Sequence, residues 1–296
     1  MDLKTYLAEK RELVDKALNE FIPESEGPTG ELIRAMRYSL FAGGKRLRPI
    51  LCIAGAEAVG GNGQDILSVA CALELIHTYS LIHDDLPVMD NDDMRRGKPT
   101  SHRVFGEALA VLSGDALLTE AFYLITMHGM TERYKADDLR EVIGLIAGAA
   151  GFRGMVGGQA VDIETEGKEV DPSLLDFIHN HKTGALIAAS VSSGTILGGG
   201  SKNQVESALS YGRNMGLAFQ ISDDILDIVG DSREMGKAAG GDEKRGKNTY
   251  PSVYGLKRSR EILMELIDRA IDALRQFDSS ADPLREIARY IIGRKR

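Results

Sequence analysis

Apolar positions recur along most of the chain at helical spacing. Leu3, Leu7, Leu13, Val14, Ala17, Leu18 and Phe21 mark one face of a first helix, stopped at Pro23 by the linker P-E-S-E-G-P-T-G. Helices follow near 30–42 and 47–60, split by Gly43-Gly44. Another, through Ile66, Val69, Ala70, Leu73, Ile76 and His77, runs into an acidic stretch. Further helical runs cover about 103–129, 137–164, 172–198, 203–229, 251–277 and 282–293. Turn-rich strings separate them: G-G-N-G at 60–63, E-G-K-E-V-D-P at 166–172, G-G-G-S-K-N at 198–203 and D-S-S-A-D-P at 278–283. No alternating strand pattern and no fixed-period repeat stands out. The expected fold is all-α, one domain over 1–296, with helices bundled around a central cavity. The stretch 230–250 reads as a loop at the site rather than a domain linker.

Charge changes this picture at two places. Asp84, Asp85, Asp90, Asp92 and Asp93 fall within ten residues, directly before Arg95 and Arg96. A second run, Q-I-S-D-D-I-L-D at 220–227, sits in an apolar context. Such crowded like charges repel, and a packed protein tolerates them where cations neutralise them. Asp223 and Asp227, four apart, stand on one helix face with Gln220 three residues before. Asp84 and Asp90 are six apart, off-face on an ideal helix, and Pro87 between them predicts a loosened or kinked helix. Brought face to face, the two runs make an oxygen-rich cleft suited to Mg²⁺, which takes one or two carboxylates together with waters and phosphate oxygens. Each run alone also reads as a solvated charged face or a helix cap. A calcium loop of the EF-hand kind fits poorly, because its aspartate spacing and its glycine are missing.

The formal net charge of −8 over 296 residues argues against a nucleic-acid surface, so any phosphate is held locally. Basic residues form groups suited to that. Gly43-Gly44-Lys45-Arg46-Leu47-Arg48-Pro49 sets cations beside glycines at a helix start, a diphosphate cradle or a surface turn. Arg95 and Arg96 either pair with the neighbouring aspartates or hold phosphate. His181-Lys182-Thr183-Gly184 precedes an apolar helix, and Lys237 and Lys247 lie in the glycine-rich 230–250 stretch, where closure over an anion would exclude water. Cys52 and Cys71 read as buried thiols in a reducing compartment, and the charged N-terminus lacks the apolar core of a secretory signal. The expected location is the cytoplasm. Thr183 to Ser201 is uncharged but loaded with Ser, Thr and Gly, a buried core helix rather than a membrane span.

The string H-D-D-L-P-V-M-D-N-D-D-M-R-R-G, with G-G-K-R-L-R-P before it and G-L-A-F-Q-I-S-D-D-I-L-D after it, resembles the trans-isoprenyl diphosphate synthases, above all the bacterial farnesyl-producing members. G-G-Q-A-V-D at 157–162, H-K-T-G-A-L-I at 181–187 and G-K-N-T-Y-P at 246–251 match in the same order, so the likeness spans nearly the whole chain. It implies the helical isoprenoid-synthase fold and a head-to-tail condensation of isopentenyl diphosphate with dimethylallyl or geranyl diphosphate. It further implies that Asp84, Asp90 and Asp223 hold about three Mg²⁺ (Mn²⁺ as a substitute), supported by Asp85 and Asp227. Arg95, Lys182, Lys237 and Lys247 would face the allylic diphosphate, and Lys45, Arg48, His77 and Arg96 the isopentenyl diphosphate. Thr183, Gln220 and the Lys182 carbonyl would stabilise an allylic cation. A homodimer is implied as well.

Product length turns on Tyr79 and the adjacent Ser80. Tyr79 lies five residues before Asp84, about 7.5 Å along a helix, where it either floors the cavity or simply packs in the core. An aromatic there, with the longer D-D-x-x-x-x-D spacing, is the farnesyl pattern of the resembled family. V-M-D-N-D-D-M also resembles plant-type geranylgeranyl synthases. A terpene cyclase is disfavoured by the second diphosphate cradle, and a non-catalytic subunit or metal-binding helical scaffold by the intact acidic runs and basic anchors.

Overall fold

The computed structural model describes residues 1–127, 130–229 and 247–293. Most of the 230–250 stretch, Lys237 included, lies outside the described residues. The chain divides into two compact units, one of Lys4–Ile50 and Gln64–Leu139, the other of Met1–Leu3, Leu51–Gly63 and Arg140–Arg296. Among the described residues everything regular is helical except one two-residue ribbon.

The first unit holds α1 (Leu3–Phe21), α2 (Gly30–Leu40), the start of α3 (Leu47–Glu57), α4 (Leu67–Asp84), α5 (Ser101–Phe105), α6 (Glu107–Thr126), α7 (Met130–Arg133) and the start of α8 (Ala136–Ala150). Helix α4 is buried on nearly every side. Val69, Leu73, Leu75 and Ile76 are all fully buried, and the helix packs along α6. Among the described residues, two helical stretches are long and apolar enough to cross a membrane. The apolar window within Gly63–Asp84 is 72% buried, as a core helix would be, whereas that of the stretch beginning at Glu107 is only 39% buried. Val111, Leu112, Tyr123 and Met127 stand exposed at the surface of the latter.

The second unit continues with α9 (Met155–Glu164), α10 (Pro172–His179), a π-turn at Asn180–Gly184, α11 (Ala185–Leu197), α12 (Lys202–Val229), α13 (Tyr250–Tyr254), α14 (Leu256–Ala273) and α15 (Asp282–Ile292). Asp171 caps α10, accepting from the amides of Ser173 at 2.8 Å and Leu174 at 3.0 Å, with Pro172 at the first helical position. Helix α11 is buried throughout, as expected of the uncharged stretch. It crosses α3 backbone to backbone: a Cβ on Gly194 would lie 1.8 Å from the carbonyl oxygen of Cys52.

Three expected helical runs are broken. The 103–129 run divides at Gly106 (φ +85°) and the 251–277 run at Gly255 (φ +76°), left-handed turns that glycine alone makes cheaply. The 137–164 run divides at 151–154. Past Pro87 the helix does not kink but has already ended. Helix α4 stops at Asp84, and the following loop folds back so that the Asp90 amide donates to the Asp84 carbonyl at 2.8 Å. The strand reading also needs amending. Met94–Arg95 (β1) and Lys98–Pro99 (β2) pair antiparallel through Arg96 and Gly97, both at positive φ (52° and 76°), the geometry of a type I′ hairpin.

Candidate active site

In the first unit the fold-back after α4 sets Asp84 and Asp90, both half-buried, on one short loop. Asp85 has a different fate. It is buried, and Arg95 grips it through Nε at 2.7 and 2.9 Å and Nη2 at 2.6 Å. This forked ion pair, together with Asp84 and Asp92 nearby, raises the guanidinium pKa despite its burial. Internal pairing, one of the two readings of Arg95 from the sequence, is present in the structure. Asp85 thereby ties Arg95 to the end of α4.

The glycine-rich basic string resolves into structural and outward members. Arg46 is buried, with its left-handed backbone at φ 52°, and it bonds Asp15 at 2.7 Å, Glu74 at 2.9 Å and the Leu40 carbonyl at 2.8 Å. Removing one partner of such a buried pair costs on the order of 3–5 kcal/mol. Lys45 before it is exposed and Arg48 after it half-buried. Arg96 donates to the Gly43 carbonyl, and a Cβ on Gly44 would lie 2.8 Å from its Nη1. His77, one turn after Glu74 on α4, is pushed well below the ordinary imidazole pKa, first by desolvation and then by Arg48, Arg96, Arg95 and Arg46. Arg48, His77 and Arg96 therefore share one electropositive region.

Tyr79 is buried with its ring edge-on to His83 at 5.6 Å between centroids. Burial and the Asp84 charge push its hydroxyl up to about 12. His83 lies 3.0 Å through Nε2 from the Val111 carbonyl of α6, and it has room because Gly114 has no side chain: a Cβ there would come within 2.1 Å of the ring. Ser80 donates to the His77 carbonyl at 2.9 Å.

In the second unit the π-turn points consecutive side chains to opposite partners. Lys182 Nζ meets Asp162 at 2.6 Å, and the Thr183 hydroxyl donates to Gln220 Oε1 at 2.9 Å. The G-G-Q-A-V-D string explains the first contact. Gly158 and Asp162 share a face of α9, and a Cβ on Gly158 would lie 2.3 Å from the Lys182 amide. Gln220, set by the spacing three residues before Asp223 on one face, donates one turn on to Asp224 at 3.0 Å. Asp224, buried, also lies 2.9 Å from His179 Nε2 and accepts from the Tyr250 amide at 2.9 Å. Asp223 and Asp227 are half-buried on α12. Asn248 holds the end of the 230–250 stretch by donating to the carbonyls of Lys168 (3.1 Å) and Thr165 (3.3 Å). Lys182, Thr183, Gln220 and Lys247 line one small cavity of about 80 Å³.

Asp162, His179 and Asp224 were not singled out from the sequence. The first sits in a string the resemblance quoted, and the last forms an i,i+4 pair with Gln220 that the spacing contains. His179 carries no local signal. Among the described residues no three His, Cys, Asp or Glu side chains converge as a metal cage.

The polyprenyl synthetase family matches residues 30–283. The chain belongs to the polyprenyl synthetase family. It is 46% identical over 294 residues to a farnesyl diphosphate synthase of Geobacillus stearothermophilus, covering 99% of this chain and 98% of that one. It is 48% identical over 295 residues to a geranylgeranyl diphosphate synthase of Cyanophora paradoxa, covering 99% and 97%. Its structure superposes on that of an FPP/GFPP synthase from Zymomonas mobilis with a TM-score of 0.88 at 41% identity, covering 98% of this chain and 99% of that one. As a polyprenyl synthetase, the protein is a prenyltransferase acting on isoprenyl diphosphates.

Burial of His77, reinforced by the arginines around it, gives this polyprenyl synthetase a defined acid response. Because the folded imidazole resists protonation, the unfolded chain binds more protons as pH falls below about 6.5, and stability falls with it. Urea midpoints measured from pH 7 to pH 5 should therefore drop in the wild type and drop less steeply in His77→Asn. Equal slopes would remove His77 from this role.

Proposed function

We propose that the chain condenses isopentenyl diphosphate with dimethylallyl and then geranyl diphosphate to give (2E,6E)-farnesyl diphosphate, releasing diphosphate at each step. The observation that carries the fifteen-carbon reading is Tyr79, buried about one and a half turns before Asp84 with its ring braced on His83. The farnesyl synthase of G. stearothermophilus supports it, and the C. paradoxa relative favours the twenty-carbon product as the second reading.

In this reading Lys45, Arg48, His77 and Arg96 hold isopentenyl diphosphate, whose charge stays attached and needs only a grip. Asp84, Asp90 and Asp223 would hold Mg²⁺ for the allylic diphosphate, with Lys182 and Lys247 adding charge. The donor chemistry fits, since Mg²⁺ is commonly bound by one or two carboxylates and completed by phosphate and water. When bound, Mg²⁺ stabilises the charge developing on the leaving diphosphate. Asp85 and Arg95 brace the first acidic loop, and Asp227 supports Asp223. Ionisation breaks the allylic carbon–oxygen bond, the isopentenyl double bond forms the new carbon–carbon bond, and the proton lost goes to the departed diphosphate. The Thr183 hydroxyl, whose hydrogen is given to Gln220, turns its lone pairs towards the cation. Two buried cysteines, Cys52 and Cys71, suit the cytoplasm.

We also read the protein as a homodimer joined through α6. Val111 (39% exposed), Leu112 (53%) and Tyr123 (51%) on α6, and Met127 (46%) just past its end, are exposed apolar side chains that a second copy would cover.

Incubation with isopentenyl and dimethylallyl diphosphates should give a Mg²⁺-dependent fifteen-carbon product by mass. Absence of any product would remove the enzyme reading. Tyr79→Ala should lengthen the product to twenty carbons or more, and an unaltered length would remove Tyr79 as the floor. Leu112→Arg should sediment as a monomer, whereas a dimer that persists would move the interface elsewhere.

A further inference from the structure

Asp223 and Asp224 are neighbours in the same acidic run, yet the helix turns them about 100° apart and the fold uses them differently. Asp224 is 2% exposed, and both its oxygens are engaged by named donors: Oδ1 by the Gln220 amide at 3.0 Å, Oδ2 by the backbone N–H of Tyr250 and by His179 Nε2, each at 2.9 Å. A carboxylate only accepts. Its presence therefore forces the NH₂ of Gln220 towards itself and the carbonyl of Gln220 towards Thr183, fixing which way round the amide sits. The Thr183 hydroxyl must then give its hydrogen to Gln220 Oε1, 2.9 Å away, and keeps only lone pairs for the cavity it lines.

We propose that Asp224 is a positioning residue that sets the polarity of the Gln220–Thr183 pair, so that the cavity presents oxygen lone pairs rather than hydrogens to an electron-poor carbon. The proposal rests on the prenyl-transfer reading above, for which the pair's orientation matters because the reacting centre becomes a cation. A hydroxyl hydrogen aimed at that centre would oppose it, and a preorganised lone pair favours it. The same carboxylate holds the Tyr250 amide, so the start of α13 and the polarity of the cavity depend on one group.

The test exploits the donor and acceptor count. In Asp224→Asn the introduced oxygen can still accept from His179 and Tyr250, but the introduced NH₂ opposes that of Gln220. The Gln220 amide must flip, and the Thr183 hydroxyl with it. The expected result is a loss in kcat of about 10-fold or more, with KM for both diphosphates and the Mg²⁺ requirement held within about 2-fold. Adding Gln220→Glu restores an acceptor-only group facing both the new NH₂ and Thr183. The double variant should recover most of the lost kcat and, in the metal-free protein, most of any loss in melting temperature. A wild-type kcat in Asp224→Asn, a double variant no better than the single one, or a 10-fold rise in the Mg²⁺ requirement would each overturn the proposal. Should the single variant not fold, Thr183→Val removes the same dipole and should show the same kcat loss at unchanged KM, with wild-type turnover again overturning it. Product formation by the unmodified protein tests the underlying reading separately.

Discussion

Concentrating carboxylates inside an apolar helical protein is the constraint on which the rest of this structure depends. Burying an ionised carboxylate without partners is prohibitive, and the two acidic runs meet the problem in three ways. Asp85 is neutralised by a fork of arginine. Asp224 is satisfied by an amide, a backbone N–H and an imidazole. Asp84, Asp90, Asp223 and Asp227 stay half-buried, within reach of water. The acidic runs are thus not uniform clusters but mixtures of braces and presented groups.

Cations are sorted by the same logic. Arg46 is consumed internally by Asp15 and Glu74 and so shapes the loop that presents Lys45 on one side and Arg48 on the other. Lys182 is steered by Asp162 across a contact that only a glycine at 158 permits. Helix geometry, glycine placement and ion pairing act together at Arg46 and Lys182.

Much of this was legible in the residues. The 3.6-residue period located α1, α4 and α12, and the ordered motifs pointed to the family. The breaks at Gly106 and Gly255 were missed because apolar spacing continues across them, while a left-handed turn depends on backbone angles that periodicity does not report. The end of α4 at Asp84 escaped because Pro87 suggested a kink, whereas the fold-back bond from Asp90 terminates the helix three residues earlier. Asp224 was overlooked because adjacent aspartates look equivalent in a string and differ only by rotation about a helix axis. The pairing of the Tyr250 hydroxyl with Asp176, 74 residues away, leaves no local trace.

The left-handed backbone of Arg46 and Arg96 carries a consequence of its own. Glycine, asparagine or aspartate would take that conformation with little strain, whereas a long branched cation gives up about 1–2 kcal/mol. At both positions the chain accepts a disfavoured geometry in order to aim a guanidinium. Replacing either residue with glycine would relax the main chain locally while removing the group for which the turn is bent, so comfort of the backbone and usefulness of the loop are opposed there.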